Sequence, residues 1–492
     1  MNRHMTRLRP AIVCFVSLCT ACTVGPDFNR PKAPDGQLIT REDISQTRGT
    51  TGIAGASQIF KRGEPIKKDW WTLYGSSALN ELVERSLKNN PTVDAAQATL
   101  KQAQALAKAQ RGLYFPNIQL GYSPTRQANS NTIAPTLNSG ESPFSLNTAQ
   151  VSVGFVPDVF GLNRRTVEAL DAQAENQKFL LEAAYVTLAT NIVAAAVTQA
   201  TLNEQLKAVG QIIAANKRSL TLIQEQARIG FSSAIDVASQ ETLLAQAEQA
   251  LPVLRKQLEQ NRNLIAVLSG VLPSENRLQD FELASLKLPA SLPVSLPSEI
   301  IEQRPDVRAA EAQLHAASAA VGIAIAQRLP QFSITAFFGG AAVPFNDMFT
   351  SSNQFWGVTG NIAQTIFDFG SLQYRQVAAE AGMAQAGAQY RSTVLNAFQN
   401  VADSLYALNE DAAALAAAVK AEQAANKTYQ LTQQQLNIGA VNALTLLITE
   451  QTYQQATIAR IQAQAARLTD TAALFQALGG GWSSSDYAHT SN

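Results

Sequence analysis

Beyond residue 22 the chain has no cysteine. Cys14, Cys19 and Cys22 are its three, so no disulfide framework holds the body and no thiol nucleophile is available there. Charge is also scarce. Lys plus Arg number 38, Asp plus Glu 38, and charged residues are 15% of the chain. Such a balance offers no basic field, which argues against nucleic acid as a partner. Histidine is confined to His4, His315 and His489, with no metal-ligand spacing. The run Gly479 to Gly481 closes a helical stretch rather than opening one, so it is not a phosphate cradle. With no catalytic constellation, metal set or cofactor motif, an enzyme is not expected. The longer apolar stretches after residue 22 are broken every few residues by Gln, Asn, Glu or Lys, which argues against a membrane-spanning helix. Proline is missing from Gly161 to Ile229 and again after Pro344. An unbroken helix over the first of these stretches would run roughly 100 Å at the usual rise per residue.

What is present begins at the N-terminus. Arg3, Arg7 and Arg9 precede the apolar run AIVCFVSLCTAC, the charged, apolar, small-residue order of a signal peptide. Small Thr20 and Ala21 stand directly before Cys22, and the segment resembles the lipobox of bacterial lipoproteins. The resemblance implies that Cys22 carries lipid. Cys19 stands where that motif usually has Leu, and a plain signal peptide is the alternative.

A chain of 492 residues exceeds one ordinary core, and an internal repeat organises it. The stretch from Asn89 matches the stretch from Glu302 with no gap between Pro91/Pro305 and Pro116/Pro330, at a shift of 214. Further on, Gly161 pairs with Gly370 and Gly230 with Gly439. Each half reads as helix, proline break, strand, loop, strand, glycine, very long helix, glycine turn, helix. Pro116 and Pro330 are the helix-to-strand breaks, and Pro252 should kink the returning helix of the first half. Leu181, Tyr185, Leu188, Ile192, Ala195, Gln199, Leu202, Leu206, Val209 and Ile213 follow alternating steps of four and three. That spacing predicts a coiled-coil seam, with a shorter bundle core as the alternative.

Four segments alternate apolar with polar. Ile118, Leu120 and Tyr122 alternate with Gln119; Val151 and Val153 with Gln150 and Ser152; Phe332, Ile334 and Ala336 with Ser333 and Thr335; Val358 and Ile362 with Asn361. A soluble sheet with one wet face alternates in the same way. If the apolar faces meet lipid, every strand edge must be paired, and four strands are too few, the smallest barrels having about eight. The chain must then oligomerise, with Gln119, Gln150, Ser152, Ser333, Thr335 and Asn361 lining the pore.

With TVGPDFNRP after Cys22, WWTLYGSSALNELVERSLKNNP from Trp70, the paired proline breaks and the duplicated long helices ending in FQALGGGW, the chain resembles the TolC-like outer membrane factor family, in its efflux-pump lipoprotein branch. The resemblance implies an α+β membrane protein. Its homotrimeric twelve-stranded outer-membrane β-barrel, four strands per protomer, would continue as a long periplasmic α-helical coiled-coil barrel. It implies a lipid-anchored protein of the Gram-negative outer membrane, the exit duct for small molecules in a tripartite pump. Its partners would be a periplasmic adaptor, an inner-membrane transporter and outer-membrane lipid. The implied divisions are a lipoprotein signal peptide (1–21), a lipid-anchored segment (22–76), a first repeat (77–270), a linker (271–296), a second repeat (297–480) and a tail (481–492). A lipid-anchored periplasmic helical scaffold without a pore is the competing expectation. Trp70 and Trp71 are expected to anchor the N-terminal segment against helices.

In that family the periplasmic tip is closed by a Tyr, an Arg and carboxylates near the two glycine turns. Here the Tyr position holds Leu436, the Arg position lies near Val441, and the second-repeat acidic positions hold Thr445 and Ile448. Asp236 alone keeps its charge. Leu444 and Ile448, one helical turn apart, are therefore the expected apolar rings of the aperture, with Asp236 as a secondary ring. Ordinary helix-pair packing is the alternative for both. The remaining Asp and Glu are expected on solvated helix faces.

Overall fold

The computed structural model describes residues 23–32, 40, 44–128, 143–275, 280–295 and 297–481. The expected signal peptide, Cys22 and all but the first residue of the tail lie outside the described residues. In chain order the elements are β1 (Ile59–Arg62), α1 (Ser77–Asn89), α2 (Pro91–Arg111), β2 (Asn117–Gln127), β3 (Phe144–Phe155), α3 (Leu162–Arg228) and α4 (Ala234–Leu268). Then follow β4 (Ser291–Val294), α5 (Pro297–Gln303), α6 (Pro305–Ala326), β5 (Gln331–Ala342), β6 (Gln354–Ala363), α7 (Ser371–Asn437) and α8 (Ala443–Ala477).

The duplication is carried through to element length. The helices α3 and α7 both have 67 residues, and α4 and α8 both have 35. Pro91 and Pro305 are the first residues of α2 and α6, where a missing N–H costs no intrahelical bond. Asn90 caps α2, its Oδ1 accepting from Thr92 N at 2.8 Å. At the other end of the long helices, Gly230 and Gly439 take left-handed φ of 81° and 74°. Phe231 N then reaches Gln226 O, and Ala440 N reaches Gln435 O, closing two like turns. The helix α4 runs from Ala234 to Leu268 with Pro252 inside it and exposed.

Two compact units divide the chain. The first comprises residues 1–30, 100–177 and 310–390. Its four-stranded antiparallel sheet has the order β2-β3-β5-β6. Ile118 faces Val153, and Phe332 faces Ile362. The second pair is the first moved by the repeat offsets of 214 and 209, so both hairpins share one register.

The second unit comprises residues 31–99, 178–309 and 391–492. In it β1 pairs in parallel with β4, and Trp70, Tyr74 and Phe475 are fully or almost fully buried. Trp70 stacks on Phe475 with ring centroids 5.0 Å apart. Tyr74 Oη donates to Leu468 O at 2.8 Å, and Gln58 Nε2 donates to Thr471 Oγ1 at 3.2 Å. Trp70 therefore does anchor residues 58–74 on α8, as the sequence predicts, while Trp71 is buried edge-on to Trp70 with ring centroids 6.0 Å apart.

Along α3, Leu181, Leu188, Ile192, Ala195, Gln199, Leu202 and Val209 are buried. So are Ala189, Val193, Ala196, Val197 and Ala200 between them. The stripe is thus wider than a strict coiled-coil seam, and over this stretch it has the burial of the bundle-core alternative. The same burial explains why α3 and α6 each contain a window apolar enough to cross a membrane: 61% of each window is buried inside the chain.

Candidate functional site

The strand pairings bring all six expected pore-lining residues to one face of the sheet. Gln119 faces Ser152, Ser333 faces Asn361, and Thr335 faces Gly154 on one side and Thr359 on the other. Gln150 lies in the same parity, between Gly121 and Gly339. The opposite face carries Ile118, Leu120, Trp356, Val358 and Ile362, all exposed. The strands β2 and β6 are its two edges, with no partner strand beyond them among the described residues. A sheet that turns an apolar face outward and leaves both edges open is unstable in water and in hydrocarbon alike. Pro116 and Pro330 directly precede β2 and β5, where α2 and α6 have already ended.

Two aromatics on the polar face were not legible from alternation. Phe337 faces Ser152 and Gly357, while Phe355 faces Gly339, and their ring centroids are 5.9 Å apart. A Cβ on Gly357 would sit 2.5 Å from the Phe337 ring. The Phe337-Phe338 doublet supplies one ring to each face, and the opposing glycines were the available signal.

At the turns, the three aperture candidates have different surroundings. Leu444 is 47% exposed and Ile448 57%, whereas their neighbours Leu446 and Leu447 are each 3% exposed. Leu447 and Ala443 pack with Ile223, Val237 and Leu243. Helix packing is therefore done by Leu446 and Leu447, leaving Leu444 and Ile448 apolar and uncovered within the chain. Asp236 closes a capping box at the start of α4: its Oδ2 accepts from Ser233 N and Oγ, both at 2.8 Å. Thr445 occupies the matching place in the second repeat, beside the cap Asn442. Leu436, at the family's Tyr position, is buried.

The expectation that the acids lie on solvated faces fails at several positions. Glu182 and Glu450 are buried. Burial raises the Glu450 pKa, partly offset by the Ser219 hydroxyl 3.3 Å away. Asp411 is pushed up to about 7, first by burial and then by Asp470 beside it, with Arg467 acting in the opposite sense. The Arg467 guanidinium is itself wholly buried among neutral acceptors, Ala54 O at 2.6 Å and Thr47 Oγ1 at 2.8 Å. These charges come from distant parts of the chain, so spacing could not reveal them. His315 stacks on Phe28 and lies 3.0 Å from Glu168. Among the described residues no group of three or more His, Cys, Asp or Glu could hold a metal ion.

The family model described as outer membrane efflux protein matches residues 82–271 and 296–480. The chain belongs to that family, which is a transport family and not an enzyme family. Among its relatives is the pyoverdine export outer membrane protein OpmQ of Pseudomonas putida, 28% identical over 421 residues covering 84% of this chain and 88% of the relative. Another is the toluene efflux pump outer membrane protein TtgF of Pseudomonas putida, 26% identical over 472 residues, covering 94% and 95%. The structure of the outer-membrane channel OprN aligns with a TM-score of 0.80 at 27% identity, covering 94% of this chain and all of that one. At 20% identity the CmeC outer membrane channel of Campylobacter jejuni shares the fold, with a TM-score of 0.82 and coverage of 94% and 96%. The chain is accordingly an outer-membrane component of an efflux pump, and the poreless scaffold is set aside.

Proposed function

We propose that three copies of this chain close one twelve-stranded barrel in the outer membrane and conduct small molecules through it passively. The observation that carries the proposal is the sheet with one apolar exposed face, one polar face and two open edges. Closure pairs β6 of one copy with β2 of the next, as β3 pairs with β5 within a copy. Val153 faces Ala336; moved by the repeat offsets of 209 and 214, that pair becomes Ile362 of one copy facing Tyr122 of the next. Gln119, Gln150, Ser152, Ser333, Thr335 and Asn361 then line the lumen, narrowed by the Phe337 and Phe355 rings.

The long helices of the repeats 77–270 and 297–480 continue the duct as a coiled-coil barrel across the periplasm. Leu444 and Ile448 form its apolar aperture, excluding water when the helices close. Asp236 contributes a secondary ring through whatever charge its capping role leaves uncovered. A periplasmic adaptor joins the tip to an inner-membrane transporter, and that transporter selects the cargo and supplies the energy. Lipid on Cys22 anchors the segment 22–76. The test is reconstitution of the purified full-length protein in a planar bilayer. Stepwise conductance from a trimeric species is expected; a water-soluble monomer without conductance would overturn the reading.

A further inference from the structure

The connection from β5 to β6 is folded over the apolar face of the sheet. Phe345 meets Tyr122 edge-on with ring centroids 5.8 Å apart, two strands away from β5. A Cβ on Gly340 would collide with Met348 O. Tyr122 faces Ala149, which faces Gly340, so both contacts fall on the side of Ile118, Leu120 and Trp356 rather than on the polar side. Tyr122 Oη donates to Asn147 Oδ1 at 2.8 Å, and Asn147 Nδ2 donates to Val343 O at 2.9 Å, pinning the connection there.

The segment bonds much of its own backbone. Asp347 N, Thr350 N and Asn353 N donate to the carbonyls of Pro344, Asp347 and Thr350, and Gln354 Nε2 donates to Phe349 O at 3.3 Å. Bonds made within the segment spare it the cost that unpaired backbone groups carry in hydrocarbon. Met348 is buried beneath it, while Phe345 and Phe349, with ring centroids 6.3 Å apart, are each more than half exposed. A copy joined at β2 or β6 extends the sheet in its own plane and does not cover rings that stand off its face. Of the residues in β2, β3, β5 and β6, Arg126 alone is charged. It is exposed, on the same face as Tyr122 and four residues, about 13 Å, further from α2. From the helix end outward the face thus runs apolar, aromatic, cationic, which is the order of hydrocarbon, boundary and phosphate-bearing headgroups.

We propose that residues 344–353 bind the outer leaflet of the membrane: Phe345 and Phe349 enter it at the boundary between hydrocarbon and headgroups, with Arg126 at the level of the headgroup phosphates. The proposal rests on the reading of the apolar face as lipid-facing. It is tested on the full-length protein in vesicles of phosphatidylcholine and phosphatidylglycerol, carrying one nitroxide at Phe349→Cys, Val358→Cys or Ser145→Cys. Relaxation of the label by oxygen, which concentrates in hydrocarbon, is compared with relaxation by a water-soluble nickel chelate. The parent chain treated identically accounts for any label on Cys22. Oxygen should dominate at positions 349 and 358, and the order should reverse at position 145, which faces Arg126. Oxygen dominant at 358 with the chelate dominant at 349 overturns the docking of the segment and leaves the lipid-facing sheet standing. Any result at 358 other than oxygen dominance overturns both. Poor access of both reagents to 349 means that protein covers the ring, and it overturns the docking as well. Oxygen dominant at 145 overturns the placement of Arg126 among headgroups. Phe345→Cys, labelled in the same way, decides if the variant at 349 does not fold.

Discussion

The Arg165 guanidinium donates to the Asp27 carboxylate across 2.8 Å, joining a side chain 4% exposed to one 90% exposed. The two ends of this pair are not equivalent. Arg165 also holds Glu168 at 2.7 Å and the carbonyls of Val24 and Gly25, whereas Asp27 is solvated. Arg165→Ala should therefore cost about 2–3 kcal/mol and open residues 23–30 to protease, while Asp27→Asn should cost less than about 1 kcal/mol. Urea unfolding with limited proteolysis checks both. Equal costs for the two changes would contradict the asymmetry.

The intermolecular register makes a cross-linking prediction. Directly opposed strand residues bring their Cβ atoms to about 4.5–5.5 Å, near the span of a disulfide. Ile362→Cys with Tyr122→Cys should give covalent oligomers under oxidation, in a chain whose other cysteines end at Cys22. Ile362→Cys with Ser123→Cys places the thiols on opposite faces and should give none. Non-reducing gels of outer-membrane fractions distinguish the two.

The aperture assignment separates neighbouring leucines. Leu444→Ser with Ile448→Ser should raise single-channel conductance while changing stability by less than about 0.5 kcal/mol for each exposed position. Leu447→Ala, made in the buried cluster with Ile223, should instead cost about 2–4 kcal/mol. Bilayer recordings and thermal melts together test this. Unchanged conductance in the double variant removes Leu444 and Ile448 from the gate.

The Asp411 carboxyl has a pKa raised from 3.8 to about 7. Between those values the folded state keeps a proton that the unfolded chain has released, so stability falls as pH rises through this window and levels off above it. Asp411→Asn should flatten that slope and raise the melting temperature above neutral pH relative to the parent. A melting series from pH 4 to pH 8 is the measurement; a parental slope that rises with pH would refute the assignment.

Much of the architecture was legible because it repeats. The pairs Pro91/Pro305 and Gly230/Gly439 mark helix starts and turns by local backbone requirements that need no tertiary context. Strand alternation likewise assigned six polar side chains to one face, and the ladder registers unite them. Less could be read where one element serves two purposes. Gln199 looked like a polar fault in a seam, yet it is buried and donates to Asp280 at 3.0 Å. Asp236 looked like a free ring charge, yet it caps a helix. Leu444 and Leu447 are indistinguishable by composition, and only the packing around Ile223 separates the uncovered one from the buried one.

The sequence by itself determined the duplicated helix and strand order, the turn positions and the two-faced character of the sheet, because these follow from periodicity and from what proline and glycine permit. Tertiary structure alone decided which charges are buried, which tip leucines stay uncovered, and that Thr23 lies against Gly161. Gln58 and Thr471 meet across 413 residues of chain, and Arg467 finds its acceptors at Thr47 and Ala54. Burial and pairing of that kind depend on elements brought together in space, and no local spacing encodes them.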